Sequence, residues 1–273
     1  MSSLSVGDTH IHYEQTGSGT DLVLIHGLGG DLHMWDRAAP LFARYHRVLR
    51  YDVRGFGASG KPPGPYSASL FARDLHALLV ACDVRYAHIA GCSMGGVIAQ
   101  RFALDYGALV RSLVLVSTSS EVGPAAAARW QRLAERLEQE GFSARTADMS
   151  HAFAPGFADR NPTVGADVNR RTAANDPRTY AAAARAMGTY GWTAELPRLT
   201  APTLIVQGLH DQLTPPGGSV RMSRALPHAR LLMIADAGHS VPVEQPEVFQ
   251  HALLAFTAGV DLVAASTPPA PRR

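Results

Sequence analysis

The stretch Gly91-Cys92-Ser93-Met94-Gly95-Gly96 decides the fold, and it directly follows an apolar run at residues 86–90. It indicates a serine on a tight turn between a strand and a helix. Such a turn strains its central residue and brings the chain so close that the positions two before and two after it must be nearly free of side chain. Gly91 and Gly95 meet this demand, so we predict Ser93 as a nucleophile. Centring the turn on Cys92 would crowd Met94, and we interpret Cys92 as a small, partly buried neighbour.

A serine nucleophile on such a turn needs an acid and a histidine, which follow it in that order along the chain. The apolar run at residues 202–206 opens into a loop with Asp211, and the run at residues 229–234 leads to His239. An imidazole must take the serine proton, and a carboxylate must hold that imidazole in one tautomer. We predict Asp211 as the acid and His239 as the base. Two alternatives stay open: Asp236 is the acid, or Asp211 only caps the next helix.

His26-Gly27-Leu28-Gly29-Gly30 follows a buried strand at residues 21–25 and is the predicted oxyanion loop. Acyl transfer needs two backbone N–H groups directed at the oxygen that becomes negative. We assign them to Leu28 and to Met94, which starts the helix after the turn, where the helix dipole adds to the effect. Gly27 supports this loop as Gly91 and Gly95 support the turn. We expect His26 to brace the loop and to transfer no proton.

Together these motifs resemble the α/β-hydrolase superfamily over residues 9–258. The segments at residues 31–36, 50–59 and 62–67 are most similar to the group of 3-oxoadipate enol-lactonases and small-molecule carboxylesterases. The resemblance implies an α/β-hydrolase fold that cleaves a small-molecule ester or lactone through an acyl-enzyme, with no cofactor. His26-Gly27 replaces the usual Ser-Asn pair of the enol-lactonases, and Phe56 replaces a histidine. The resemblance therefore specifies a reaction type and not a particular lactone.

The alternation of strand and helix patterns predicts an α/β protein with a doubly wound, mostly parallel sheet and an inserted helical cap. Strands are expected at residues 9–16 (an edge strand), 21–26, 46–51, 86–91, 111–117, 202–208 and 230–235. More than eighty residues between two of them are too many for a simple connection, so we assign residues 1–119 and 201–262 to the core and 120–200 to the cap. The proline-rich residues 263–273 are predicted to form a disordered tail.

The large side chains of the predicted cap are candidates for lining a substrate pocket. They are Trp130, His151, Phe153, Met187, Tyr190 and Trp192. For each of them the alternative is packing between the cap and the core.

Composition limits the class of protein. A chain of 273 residues with 46% hydrophobic residues and a formal charge of +2 can build one domain with an insertion, and its basic residues are scattered, which argues against nucleic acid as a partner. Arg50, Arg54 and Arg73 are candidates for attracting an anionic substrate, although scattered surface arginines are commoner. Since no apolar run approaches the roughly 20 residues of a membrane helix, we expect no membrane partner and a cytoplasmic location. The oligomeric state stays open.

Two apparent ligand motifs are rejected. Gly55-Phe56-Gly57-Ala58-Ser59-Gly60 matches a dinucleotide fingerprint, but Lys61-Pro62 follows where the phosphate-binding helix should begin. His10 and His12 share one face of a strand without a third ligand, so no metal is predicted.

Three other functions use the same fold. A carbon–carbon bond hydrolase and a perhydrolase or acyltransferase would keep the triad of Ser93, His239 and Asp211 and differ in the substrate or in the second nucleophile. A non-catalytic protein that binds a small molecule would usually have lost one of these residues, and this chain has lost none.

Overall fold

An eight-stranded sheet forms the centre of the computed structural model, which describes residues 2–143 and 148–266. The strands are β1 (Ser2–Val6), β2 (Thr9–Thr16), β3 (Thr20–Ile25), β4 (His46–Tyr51), β5 (Ala87–Cys92), β6 (Val110–Val116), β7 (Thr203–Gly208) and β8 (Ala229–Ile234). Their spatial order is β1-β2-β4-β3-β5-β6-β7-β8. β1 pairs antiparallel with β2, β2 pairs antiparallel with β4, and every other pair of neighbours is parallel. This is the mostly parallel, doubly wound sheet that the sequence predicts.

The edge of the sheet differs from the prediction. The sequence suggested that residues 9–16 form an edge strand, but β1 pairs with the outer edge of β2. The turn at Gly7, which has a φ of +56°, connects the two strands. β1 is short, polar and mostly exposed, so its sequence carries little strand signal of its own. His12 of β2 is half-buried, and its Nδ1 lies 3.0 Å from Oδ2 of Asp52.

Helices cover both faces of the sheet. They are α1 (Ala39–Phe42), α2 (Ala68–Ala81), α3 (Met94–Tyr106), α4 (Pro124–Glu140), α5 (Phe157–Arg160), α6 (Pro162–Ala173), α7 (Pro177–Met187), α8 (Gly217–Ala225), α9 (Val241–Glu244) and α10 (Pro246–Ser266). Apolar residues of α2 and α3 form one core with one face of the sheet, and those of α1 and α10 form a second core with the other. The central strands are buried on both sides, which explains their continuous apolar runs.

The helices between β6 and β7 lie over the carboxyl ends of the strands, and we call residues 124–198 the helical insertion. Within it α4 packs against α7, and Arg185 of α7 forms an ion pair with Glu138 of α4. The insertion contacts the loops that follow β3 and β4. Asn175 donates a hydrogen bond to the carbonyl oxygen of Gly29 at 2.9 Å, and Thr179 donates one to that of Gly55 at 2.8 Å. The insertion therefore stands directly above the loops that carry the predicted site.

The C-terminal helix α10 departs from two expectations. It has 21 residues, and an 18-residue window within it has a mean hydropathy of 1.5, so that by length and composition it is a candidate membrane span, whereas we expected no such run. In the fold, Phe249, Leu253 and Phe256 pack into the core beside the sheet. The helix also continues through residues 263–266, which we had assigned to a disordered tail, because these residues are apolar or small and the first proline follows only at position 268. Residues 267–273 lie outside the described part of the chain.

A polar cluster of His46, His88 and Asp261 fastens α10 to the sheet. The three side chains place one potential ligand atom each within 4.8 Å of one another, a spacing that suits a metal ion and that the sequence analysis did not anticipate. The carboxylate of Asp261 accepts hydrogen bonds from Thr20 at 3.0 Å and from Arg111 at 2.9 Å, and it lies 3.2 Å from Nε2 of His88. Since a guanidinium already occupies this carboxylate, we interpret the cluster as a structural anchor.

Two of the three arginines considered for substrate attraction have partners within the fold. Arg54 is buried and donates to Asp74 of α2 at 2.7 Å, while Arg50 donates to Glu14 of β2 at 2.7 Å. Arg73 is exposed on α2. Arg54 and Arg50 thus hold elements of the core together. The two cysteines, Cys82 and Cys92, are free.

Candidate active site

Ser93 lies between the end of β5 and the start of α3, in the strained conformation that the sequence predicts. Its φ is +54° and its ψ is −115°, a combination that side-chain-bearing residues rarely adopt. A Cβ atom on Gly91 would lie 2.2 Å from the carbonyl oxygen of Gly95, and one on Gly95 would lie 2.2 Å from that of Ile25. Both positions therefore require glycine. The turn presents Ser93 at the carboxyl edge of the sheet.

Cys92, the neighbour of Ser93, is unsuited to act as the nucleophile. The residue is almost fully buried, and burial raises the pKa of its thiol far above the usual range, with the charge of Asp211 adding to the effect. A thiol must ionise to attack a carbonyl carbon. This geometry favours Ser93 over Cys92.

The loops after β7 and β8 bring Asp211 and His239 together. Oδ2 of Asp211 lies 2.9 Å from Nδ1 of His239. Burial on its own would raise the pKa of Asp211, but His239 and the hydrogen bonds from Thr214 outweigh burial and hold that pKa below its usual range. Asp236, the alternative acid, is exposed, and its backbone carbonyl accepts a hydrogen bond from Gln245. The structure thus pairs His239 with an ionised Asp211 and not with Asp236.

A set of hydrogen bonds that the sequence analysis missed surrounds Asp211. Thr214 donates its hydroxyl to Oδ2 at 2.7 Å and its N–H to Oδ1 at 2.9 Å. Gln207 donates to Oδ2 at 3.0 Å and itself accepts a hydrogen bond from the buried Ser219 at 2.7 Å. The spacing of Asp211 and Thr214 is typical of a side chain that caps its own turn and could have signalled the first contact. Gln207 and Ser219 come from different elements, and no local pattern links them.

The loop after β3 lies against the Ser93 turn. A Cβ on Gly27 would meet the Cβ of Ser93 at 3.4 Å. His26 is fully buried, lies 2.8 Å through Nδ1 from the carbonyl oxygen of Gly27, and accepts a hydrogen bond at Nε2 from the N–H of Val53 at 2.9 Å. Burial lowers the pKa of His26, so the ring is neutral and its two nitrogens are occupied. This arrangement suits the bracing role expected of His26.

Two cavities meet at Ser93. The larger has a volume of about 720 Å³ and is lined by Ser93, His239 and residues of α4 and α6. The smaller has a volume of about 220 Å³ and is lined by Ser93, Leu28 and Met94, the two residues assigned to the oxyanion hole. The cavities share Leu28, Ser93, Trp130, Leu213 and Thr214. A substrate bound at Ser93 can therefore extend in two directions.

The structure divides the six candidate pocket residues into two groups. Trp130 lines both cavities, His151 lines the larger one, and Met187 and Tyr190 line the smaller one. Burial lowers the pKa of His151, and the neighbouring His239 lowers it further while Asp148 opposes the shift.

Phe153 and Trp192 line neither cavity, which corrects their assignment. Phe153 is buried and stacks on Phe157 with ring centroids 5.2 Å apart. The indole N–H of Trp192 donates to the buried Gln100 of α3 at 3.2 Å. Trp192 thus packs the insertion onto the core, as the alternative interpretation has it, whereas Phe153 packs on another ring of the insertion.

The chain is similar to known proteins over most of its length. The sequence profile of the family described as alpha/beta hydrolase fold matches residues 21–246. A 3-oxoadipate enol-lactonase 2 from Acinetobacter baylyi is 29% identical over 255 residues, which are 92% of this chain and 94% of that protein. A protein from Pseudomonas syringae pv. syringae, provisionally named carbamate hydrolase RutD, is 32% identical over 250 residues, which are 90% of this chain and 96% of that protein. A solved structure of a thermophilic esterase from Thermogutta terrifontis matches with a TM-score of 0.87 and 31% identity and covers 92% of this chain and 94% of its own.

Proposed function

Since the chain belongs to the alpha/beta hydrolase family and is a hydrolase similar to enzymes that act on small molecules, we propose that it cleaves a carboxylic ester or lactone through an acyl-enzyme at Ser93. The observation that carries the proposal is that the strained Ser93 lines the same cavity as His239, whose Nδ1 faces Asp211. The catalytic roles of these three residues are part of the proposal. So are the cytoplasmic location and the division into a core and a cap at residues 120–200.

The reaction begins when Oγ of Ser93 attacks the carbonyl carbon and His239 takes the hydroxyl proton through Nε2, since its Nδ1 faces Asp211. The carbonyl electron pair moves onto oxygen, where the N–H groups of Leu28 and Met94 stabilise it. When this pair returns, the bond to the alcohol oxygen breaks and that oxygen takes the proton from His239. The products of this half-reaction are an alcohol and an ester of Ser93.

Hydrolysis of the acyl-enzyme repeats the sequence with water as the nucleophile. His239 takes a proton from water, the hydroxide attacks the Ser93 ester, and Ser93 leaves with the proton that His239 returns. An open ester yields an acid and an alcohol. A lactone yields one hydroxy acid, because its leaving oxygen stays attached to the acyl group.

The two cavities suggest how a substrate binds. The larger volume, about 720 Å³, falls within the usual range of small-molecule sites, and the smaller one, about 220 Å³, lies below it. We assign the bulkier part of the substrate to the larger cavity and a short group to the smaller one, beside Met187 and Tyr190.

The test measures acid release in a pH-stat from a five-membered enol-lactone and from an open ester of similar size. Ser93→Ala should reduce kcat by several orders of magnitude and leave the circular dichroism spectrum unchanged. Cys92→Ala is the matched control, one residue earlier on the same turn, and should retain activity. A fluorophosphonate probe should label Ser93 in the wild-type protein by mass spectrometry. Retained activity in Ser93→Ala, or an unlabelled Ser93, would contradict the proposal.

A carbamate is the second candidate substrate, and the observation that favours it is the 32% identity to the protein provisionally named as a carbamate hydrolase. The same triad would attack a carbamate carbonyl, and the leaving group would be an amine or an alcohol. Adding a small carbamate to the panel separates the candidates. A kcat/KM for the carbamate that exceeds both others would make carbamate hydrolysis the main activity.

A further inference from the structure

Glu244 is a buried carboxylate beside the catalytic loop that neither the mechanism nor the sequence analysis uses. It is the last residue of the short helix α9, which follows His239. In the described part of the chain, no arginine or lysine lies within ion-pair distance of it. Its hydrogen-bond partners are instead backbone N–H groups. A buried carboxylate requires such compensation, because transfer from water without it is very unfavourable.

The N–H groups that Glu244 binds come from two separate segments. Gly238 and Ser240, which flank His239, donate to the carboxylate at 3.0 Å and 3.1 Å. Ala154 of the helical insertion donates to Oε2 at 2.6 Å. The carboxylate of Glu244 therefore joins the loop that holds His239 to the helical insertion.

The same two segments also contact each other directly. The carbonyl oxygen of Ala152 accepts hydrogen bonds from the N–H of His239 at 2.9 Å and of Ser240 at 3.2 Å. A Cβ on Gly238 would lie 2.6 Å from the backbone nitrogen of Ala154, so the segments pack with no room for a side chain. The backbone of His239 is thus held between Ala152 on one side and, through its neighbours, Glu244 on the other.

The charge of Glu244 matters for this contact. Burial raises the pKa of Glu244, while the three N–H groups and the nearby His239 oppose the shift. A carboxylate can accept all these hydrogen bonds, whereas a carboxamide offers one acceptor oxygen and directs an NH₂ group at N–H donors. Replacing the carboxylate by an amide of the same shape therefore breaks part of the junction.

We propose that Glu244 is a positioning residue that ties residues 152–154 of the helical insertion to the His239 loop and so keeps the imidazole in reach of Ser93. If the insertion moves away from the site at this junction, His239 moves with it. The position of the insertion therefore affects proton transfer by His239. The activity readout rests on the proposed function.

The experiment compares Glu244→Gln with Glu247→Gln, an equal change of charge at an exposed position three residues later. Glu244→Gln should reduce kcat at least about 10-fold, because small displacements of a catalytic group are costly, and should change KM less. It should also speed amide hydrogen exchange in residues 152–154 and 238–240. Glu247→Gln should match the wild-type protein in both measurements. Wild-type kcat and exchange in a folded Glu244→Gln would overturn the proposal.

A second variant, and measurements that need no turnover of a substrate, test the role of Glu244 if the first comparison fails. If Glu244→Gln does not fold, Ala154→Pro removes the donor at 2.6 Å and leaves Glu244 and His239 in place, and the extended backbone of Phe153 can precede a proline. Unchanged kcat in that variant would overturn the proposal. If the wild-type protein cleaves no ester, lactone or carbamate, the proposed function fails, but the exchange comparison and the rate of Ser93 labelling still test the role of Glu244.

Discussion

Ser93 shows how single residues hold a strained site in place. A side-chain-bearing residue in this backbone region costs on the order of 1–3 kcal/mol and persists only when its surroundings leave no alternative. The N–H of Ser93 donates to the carbonyl oxygen of Val116 at 2.9 Å, and the hydroxyl of Thr118 donates to the carbonyl oxygen of Ser93 at 2.9 Å. Together with the close approach at Gly91 and Gly95, these bonds fix the serine at the edge of the sheet.

The choice of acid is a prediction at the residue scale. Asp211→Asn should reduce kcat about 10³- to 10⁴-fold, because an amide cannot hold the imidazole in the tautomer that accepts the serine proton. Initial rates on the preferred ester or lactone measure the effect. Asp236→Asn, at the exposed alternative, is the control and should leave kcat unchanged. The opposite pattern would make Asp236 the acid.

At the scale of elements, the site depends on loops that helices and strands hold from behind. The loop after β4 lies beneath the helical insertion, and Arg54 in this loop binds Asp74 of α2 with both residues buried. This ion pair fixes α2 against the end of β4. Arg54 was a candidate for attracting an anionic substrate. Because it is buried and paired with Asp74, it cannot fill that role.

Removing one partner of that pair should be strongly destabilising. Arg54→Met leaves the carboxylate of Asp74 buried and unpaired, and we expect the free energy of unfolding to fall by about 3–5 kcal/mol in urea titrations. The double variant Arg54→Met/Asp74→Leu should recover much of this loss, since no buried charge remains. Arg73→Met, at the exposed neighbour on α2, should change stability by less than about 0.5 kcal/mol. A single variant as stable as the wild-type protein would contradict this account.

Buried histidines affect the molecule as a whole. The side chain of His88, a residue of β5, is buried beside α10. Burial lowers its pKa from 6.5 to about 4, with Asp261 opposing the shift and His46 and Arg111 adding to it. In the unfolded chain His88 regains its ordinary pKa near 6.5. Between pH 6.5 and pH 4 the unfolded state therefore binds a proton that the folded state does not. Stability must fall as the pH falls through this window.

Urea unfolding at pH 8, 6 and 5 tests this expectation. The free energy of unfolding should fall by at most about 1.4 kcal/mol per pH unit for His88. His88→Gln should weaken the pH dependence because the amide does not titrate, whatever its effect on stability at pH 8. His251→Gln, at an exposed position of α10, should keep the wild-type dependence. Equal dependence in the wild-type protein and His88→Gln would assign the acid sensitivity to other groups.

The sequence by itself determined the features that are written in short stretches: the turn at Ser93 with its two glycines, the apolar strands from β3 to β8, and the order in which Asp211 and His239 follow. Local sterics and periodicity are sufficient for these. The tertiary structure decided which acid faces His239, that β1 covers the edge of β2, that Phe153 and Trp192 pack away from the cavities, and that Glu244 joins the insertion to the His239 loop. Each of these depends on contacts between residues distant in the chain, which no local pattern of side chains encodes.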